Sequence, residues 1–511
     1  MLFSLAICLP RLGAFGFWDP WELKIADQAR EIAESGHLFD PTVGGRYPAG
    51  KGLGFVFAAL GIKIFGAGEF GARLPSTLCA VGALLAVYWA AAGMFRRRAA
   101  LLATLALGSM TIFTLEARQL TSDAPAMAGL ALAMGGLARY AWPPSGKRRL
   151  LDLLIGCAGM AFGCLAAGAL LGVVLPGLSL LAALVVGYGL VASDAKVDDG
   201  TGDLAAPGTG PDIPAGTRFG EATLSFKKPA GLILMAIGLL CIALMVTAMT
   251  NLVAGKYSAL LGGVAQGGVP SHNFEYLVRE LGFGLFPWSA VAVFALARPL
   301  IRLDESEGIQ SNTRLAFGQL YVFFVAGLGF ALSTYLVLVL GDGRYLALPA
   351  IALAVGVFLD EALEGNRSEP VAGLLMATGT MVVARDFFLA PEELVSVHLL
   401  DKVKWPPVLS IEHLILAVGF LVALGVYAGL ATRGRALGKI AARDLTNARN
   451  WQRRVEPIIV ATGRWGLQAA MGLAVLFAFF VAQVLVPRLS THFSFKPVLE
   501  SYAKYAKAGE K

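Results

Sequence analysis

Long, uninterrupted apolar runs constrain this chain more than anything else in it. Residues 1–17, 70–95, 99–116, 122–142, 149–168, 170–192, 229–251, 284–302, 317–340, 345–360, 371–389, 411–431 and 463–487 each read as a candidate membrane span. A helix needs roughly 20 apolar residues to cross the hydrocarbon core of a bilayer. A membrane barrel would alternate apolar and polar residues along short strands, whereas these runs are continuous. Only 15% of the 511 residues are charged and mean hydropathy is +0.68, against roughly a quarter charged in a soluble domain. The expected fold is therefore all-α and polytopic, with about 12–13 transmembrane helices.

Lys and Arg placement orients the spans. Arg96-Arg97-Arg98, Lys147-Arg148-Arg149 and the run from Arg433 to Arg454 fall on one side if thirteen spans are counted, and those loops are expected to be cytoplasmic. The 19–69 segment, the 252–283 loop, the 341–344 turn, the 390–410 loop and the C-terminal tail then face outward. The net charge of +7 reflects this bias. The 433–454 run suits anionic lipid heads and lacks the aromatic interleaving of a nucleic-acid surface, so no nucleic-acid partner is expected. Cys8, Cys79, Cys157, Cys164 and Cys241 all lie in apolar runs with no ligand spacing. They read as small hydrophobes rather than as disulfides or metal ligands. Residues 1–17 lack a basic start and a small-residue cleavage site, so they read as a short first span rather than as a signal peptide.

Residues 1–487 are expected to form one transmembrane module. Within it, 193–228 is rich in Gly, Pro and Asp without apolar periodicity and reads as a flexible cytoplasmic loop. Residues 488–511 form a short polar tail, like the start of an outer domain that stops too soon to own a core. The first outer loop has structure of its own. From Pro20 to Ser35, Ile25, Ala29 and Ile32 share one helical face, which suggests an interfacial amphipathic helix ended by Gly36. Residues 52–66 make a second apolar helix, too short to span.

The charged island Trp18-Asp19-Pro20-Trp21-Glu22 opens that loop. Asp at N-cap, Pro at the first helical position and Glu at the third make a capping box. The same carboxylates, held ionised at a helix start, suit a general base. Asp123, before Pro125, reads either as an N-cap or as an acidic group at the membrane edge with a chemical role. Arg118 either pairs with Glu116 or binds a phosphate. Arg344-Tyr345, after Gly341-Asp342-Gly343, is either a solvated turn or a phosphate clamp, since guanidinium matches phosphate oxygens. His272 is a loop histidine that reads either as structural or as a contact to donor or acceptor. The remaining histidines show no ligand spacing, and no metal site is expected.

Four stretches resemble bacterial members of the protein O-mannosyltransferase and lipid A aminoarabinose transferase superfamily. They are Trp18–Gly36 with its Arg30-Glu31, Arg46-Tyr47 through Glu69-Phe70-Gly71-Ala72-Arg73-Leu74-Pro75-Ser76, His272–Tyr276 with Phe286-Pro287-Trp288, and Arg344-Tyr345-Leu346-Ala347-Leu348-Pro349-Ala350. The resemblance spans residues 18–350 in order. It implies a GT-C fold whose outer first loop carries two interfacial helices, in a multi-pass protein of the bacterial inner membrane with its active site facing outward. It further implies inverting transfer of a sugar from a polyprenyl-phosphate donor to an envelope acceptor, whether lipid, protein or glycan. The family's catalytic Asp follows Pro directly; here Trp21 stands there, between Asp19-Pro20 and Glu22. Either Asp19 or Glu22 takes the role, or the acceptor chemistry differs, or the base is lost. Glu22, Asp19 and Asp123 are thus the catalytic candidates. Lys51, Arg118, Arg344 and Tyr345 are the donor-phosphate candidates, and His272 a further contact. Besides the donor substrate no cofactor is implied, and dependence on a divalent metal is left open. The alternatives are a non-catalytic binder of lipid-linked sugar and a lipid or glycan transporter; a transporter would carry midspan charges or paired broken helices, which the sequence lacks.

Overall fold

The computed structural model describes residues 1–19, 21–36, 52–143, 149–198, 274–302, 313–340, 344–364, 369–396, 410–437 and 450–505. Lys51, His272, Cys241, the expected span 229–251 and residues 199–228 of the expected loop lie outside them. All regular structure among the described residues is helical. Among the described residues six helical segments are long and apolar enough to cross a membrane: Glu69–Met94, Leu150–Val186 (bent at Gly168), Leu315–Val337, Pro370–Leu389, Glu412–Thr432 and Trp465–Phe493. A seventh crossing arises if Leu277–Gly284 and Ser289–Pro299, which meet at 106°, are counted as one broken span. Exposed leucines on these helices (Leu154, Leu374, Leu421, Leu476) have lipid as their natural solvent.

Several expected spans are built differently. Residues 1–17 form only the seven-residue helix Leu2–Cys8, followed by turns. The 99–116 run divides into Arg97–Ser109 and Thr111–Glu116, broken at Met110. Near residue 169 the chain does break as expected: Gly168 adopts φ +83° and ψ 171°, a conformation essentially reserved for glycine. The bend brings Gly172 back against Gly163 and Cys164. The following helix, Leu175–Asp198, continues six residues into the expected 193–228 loop.

Glycines draw helices Asp123–Ala141 and Leu150–Ala169 together. A Cβ on Gly136 would lie 2.3 Å from the Gly156 backbone nitrogen, and one on Gly159 2.4 Å from that of Ala133. This is the small-residue contact that replaces hydrophobic driving force inside a bilayer.

The Trp21–Ser35 helix has the expected amphipathic face, but it does not spend that face on lipid. Ala26, Ala29 and Ile32 are buried against Phe55, Ala58 and Ala59 of helix Gly52–Phe65 and Ala72 of helix Glu69–Met94. Alanines on both sides let the two helices approach closely, so each serves as the other's apolar partner. Gly36, at φ +75°, closes the helix as the sequence suggests.

Charged residues sort to the two ends of the bundle. At one end Arg98 meets Asp360 and Glu364, Arg96 meets Glu364, and Arg298 pairs with Glu369 and Glu361. The Glu369 N–H also donates to the Leu430 carbonyl, which brings the start of the 433–454 basic run to that end. At the other end the first loop, the Arg344 turn and the chain after the last span come together. This is the segregation that the Lys/Arg bias of the loops implies.

Candidate functional site

The second end is organised around Arg73, an arginine inside the apolar helix Glu69–Met94. A charge there must find partners or be neutralised, and Arg73 makes five hydrogen bonds to four residues. Its Nε and Nη2 donate to Glu22 Oε1 and Oε2 at 2.8 and 2.6 Å. Nη1 donates to the carbonyls of Leu12 and Phe15, and Nη2 also to that of Gly16. The guanidinium lies 3.9 Å from the centre of the Phe15 ring, where cation–π attraction adds to the pairing. Every N–H of the fork is used.

Glu22 is equally committed. Besides Arg73 it accepts from the Leu120 N–H at 2.8 Å and the Trp18 N–H at 3.0 Å, and it is 2% exposed. Its four hydrogen bonds occupy the lone-pair directions a carboxylate offers. The capping geometry is shifted by one residue from the expected box. Glu22 reaches back to the Trp18 N–H rather than to that of Asp19, and Trp18 supplies the carbonyl that receives the Glu22 N–H. The Asp19 N–H instead donates to the Phe493 carbonyl at 2.9 Å. The Asp19 side chain is half-buried, and no described residue hydrogen-bonds to its carboxylate.

Arg118 is fully buried and donates to the carbonyls of Ile7, Cys8 and Pro10. These lie at and just past the end of helix Leu2–Cys8, where carbonyls lack intrahelical donors and the helix dipole favours a cation. Of the two sequence readings for Arg118, neither a Glu116 pair nor an open phosphate site is what this geometry provides.

From Leu120, pinned by Glu22, the chain runs three residues to Asp123. Ser122 Oγ accepts the Gly54 N–H on the way. Asp123 stands at the first helical position after Ser122 and does not cap the helix. Its Oδ2 receives Arg344 Nη1 at 2.9 Å, and Glu116 Oε1 lies 3.7 Å from the same nitrogen. Ser333 Oγ donates to the Arg344 carbonyl. The Tyr345 N–H points at both oxygens of Glu280, at 3.3 and 3.4 Å. Glu116, Asp123 and Glu280 are each at most 5% exposed. The Tyr345 ring is buried and its hydroxyl donates to the Ala326 carbonyl.

The structure therefore brings Asp19, Glu22, Asp123, Arg118, Arg344 and Tyr345 to one end of the bundle. It gives them unequal freedom. Glu22, Arg118 and the Tyr345 hydroxyl are tied into the scaffold, Asp123 and Arg344 hold each other, and Asp19 is the least engaged. Among the described residues no group of three or more His, Cys, Asp or Glu side chains could hold a metal ion. Sequence reasoning passed over Arg73 and Glu280 as site residues. Arg73 carries a legible signal, a lone cation in an apolar helix. Glu280 falls on the stripe Leu277–Leu281–Gly284 of helix Phe274–Gly284, where a carboxylate at i+3 marks a buried acid.

Comparison with known proteins gives this helical bundle its fold class. Residues 53–192 match the family described as dolichyl-phosphate-mannose-protein mannosyltransferase. The structure of ArnT from Cupriavidus metallidurans bound to undecaprenyl phosphate is similar over 99% of this chain and 81% of its own, with a TM-score of 0.53 and 18% identity. The apo structure of the same protein is similar over 94% of this chain and 76% of its own, with a TM-score of 0.50 and 19% identity. No curated protein sequence matches the chain. The likeness to the ArnT structures shows that the chain has a GT-C fold.

Proposed function

We propose that this protein is a membrane glycosyltransferase that moves a sugar from a polyprenyl-phosphate donor to an envelope acceptor, at the outer face of a bacterial inner membrane. The part-buried Arg344–Asp123 pair beside the first loop carries the reading, in a fold shared with a structure bound to undecaprenyl phosphate. In the reaction an acceptor O–H or N–H gives its proton to a carboxylate. The oxygen or nitrogen attacks the anomeric carbon from the face opposite the phosphate. The bond to the phosphate oxygen breaks and the phosphate departs with the electron pair. A phosphate needs no proton to leave, so cations that absorb its charge suffice.

Arg344 is the described cation best placed for that task, with Lys51 and His272 as further contacts. Asp19 is the proposed base because its carboxylate is the one least committed to the scaffold. Asp123 positions Arg344, and its carboxylate would hand the guanidinium over as the donor phosphate arrives. Residues 1–487 form the transferase module and 488–511 its outward-facing tail. A second reading, a binder that does not transfer, draws on Trp21 at the family's acidic position and on Glu22 being consumed by Arg73.

Deleting the gene and profiling envelope glycolipids and glycoproteins by mass spectrometry tests both. Wild type should restore a lost sugar. Asp19→Asn should reach normal abundance while transfer falls by about 10²–10⁴-fold, the usual worth of a general base. Full rescue by an Asp19→Asn/Asp123→Asn double variant would overturn the assignment of these acids. A chain that binds undecaprenyl phosphate but whose deletion changes no glycan would establish the binder.

A further inference from the structure

The last described helix, Lys496–Tyr505, fully buries none of its residues. Phe495, Val498, Leu499 and Tyr505 are 58%, 63%, 63% and 74% exposed. At 100° per residue these side chains, together with that of Tyr502, fall within an arc of about 120°. Lys496, Glu500 and Lys504 occupy the opposite side. The helix begins three residues after the apolar span Trp465–Phe493 ends, so it starts where that span leaves the hydrocarbon.

Its first turn is tied to the candidate site. Lys496 Nζ lies 3.0 Å from Glu69 Oε1 and 3.4 Å from the Gly13 carbonyl. A Cβ on Gly16 would fall 1.9 Å from Ser494 Oγ, which shows how closely the two segments approach. Glu69 opens a second helix with apolar surface at the same level. Phe70 beside it is 47% exposed, and Ile64 and Phe65, at the end of helix Gly52–Phe65, are 62% and 55% exposed. The Phe65 and Phe70 rings meet edge to face at 6.0 Å. Exposed aromatics thus flank the Lys496–Glu69 link on both sides, in the manner of a membrane-interface belt.

We propose that helix Lys496–Tyr505 lies flat on the phospholipid surface at the site end of the bundle, its Phe495–Val498–Leu499–Tyr505 face sunk among the acyl chains. Continuity with the last span sets the level. Charge favours the same occupant: residues 494–511 carry four lysines against two glutamates, and juxtamembrane lysines are drawn to anionic lipid heads. A helix with this balance of faces sinks about 5–10 Å into the headgroup boundary. The seated helix steadies the first loop through the Lys496–Glu69 pair and the Asp19–Phe493 backbone bond. This inference stands whether or not the chain transfers a sugar.

Spin labels test it in the full chain, with its five native cysteines replaced, in vesicles of phosphatidylethanolamine and phosphatidylglycerol. Labels at Val498→Cys and Leu499→Cys should be relaxed by oxygen and shielded from an aqueous nickel chelate. Labels at Glu500→Cys and Ser501→Cys should show the reverse. Where the cysteine-free chain fails to fold, Leu499→Trp in the native chain should show extra quenching by brominated lipids over the wild type. Nickel access at all four positions would place the helix in water, and shielding from both reagents at 498 and 499 would place it against protein, a partner or a second copy. Either result overturns the proposal.

Discussion

Removing Arg73 should cost more stability than any other single truncation at the site end of the bundle. Arg73→Ala leaves the Glu22 carboxylate, 2% exposed, with only the Trp18 and Leu120 N–H groups. Stripping one partner from a buried ion pair costs about 3–5 kcal/mol. The carbonyls of Leu12 and Phe15 lose the Arg73 donor as well, while that of Gly16 keeps the Ser490 hydroxyl, and water entering the vacated space recovers part of that loss. The ion-pair loss alone is a large share of the roughly 5–15 kcal/mol that holds a folded protein together. At about 2–4 °C per kcal/mol for a cooperative unit of 150–250 residues, the melting midpoint should fall by on the order of 10 °C. Thermal unfolding in detergent, followed by near-ultraviolet circular dichroism, reads the shift. Glu22→Gln should cost less, because an amide oxygen still accepts from one backbone N–H and the stranded charge is Arg73, which keeps three carbonyls. The double variant Arg73→Ala/Glu22→Gln should be more stable than the two single losses added together predict, since it buries no orphaned charge. Additive effects, each below about 1 kcal/mol, would refute the lock, because exposed pairs behave that way. Normal stability with transfer abolished in Glu22→Gln would instead put Glu22 in the reaction.

Other consequences follow from particular contacts. Gly168→Ala should destabilise the chain by about 1–3 kcal/mol, since alanine avoids φ +83° with ψ 171°; an unchanged midpoint would mean that the bend is not held in that conformation. Gly136→Leu should force helices Asp123–Ala141 and Leu150–Ala169 apart, because even a Cβ would lie 2.3 Å from Gly156 N. A disulfide forming with the same yield between engineered cysteines across that interface in wild type and variant would contradict this. Asp123→Ala should loosen Arg344, which keeps Glu116 nearby, and weaken polyprenyl-phosphate binding less than Arg344→Ala does, as read by binding of a fluorescent polyprenyl phosphate; equal losses would mean that Asp123 meets the ligand itself.

The first loop shows how far single residues could be read. Gly36 ended its helix and Ile25, Ala29 and Ile32 marked its apolar face, because both signals are local: a φ that only glycine tolerates easily, and a 3.6-residue period. What that face met was not local. Lipid and a facing alanine helix look alike to an isolated periodicity, and only the packed helix Gly52–Phe65 decides between them. Glu22 presents the same problem in its chemistry. A carboxylate at a helix start suits both a cap and a base, and the deciding partner, Arg73, lies 51 residues away. Arg118 resembled a phosphate ligand for the same reason, until the end of helix Leu2–Cys8 supplied carbonyls for it.

The sequence by itself determined that this chain lives in a bilayer, that its charges belong at two opposite ends and that its fold resembles GT-C. Those properties follow from the length of apolar runs, the bias of Lys and Arg, and short motifs in order along the chain. The tertiary structure alone decided which acids and cations remain available. An ionised group buried near lipid takes whatever partner the fold delivers, and the partners of Glu22, Arg118 and Arg344 come from segments 51 to 221 residues distant. It left Asp19 the least engaged carboxylate in a site where Glu22 holds the frame.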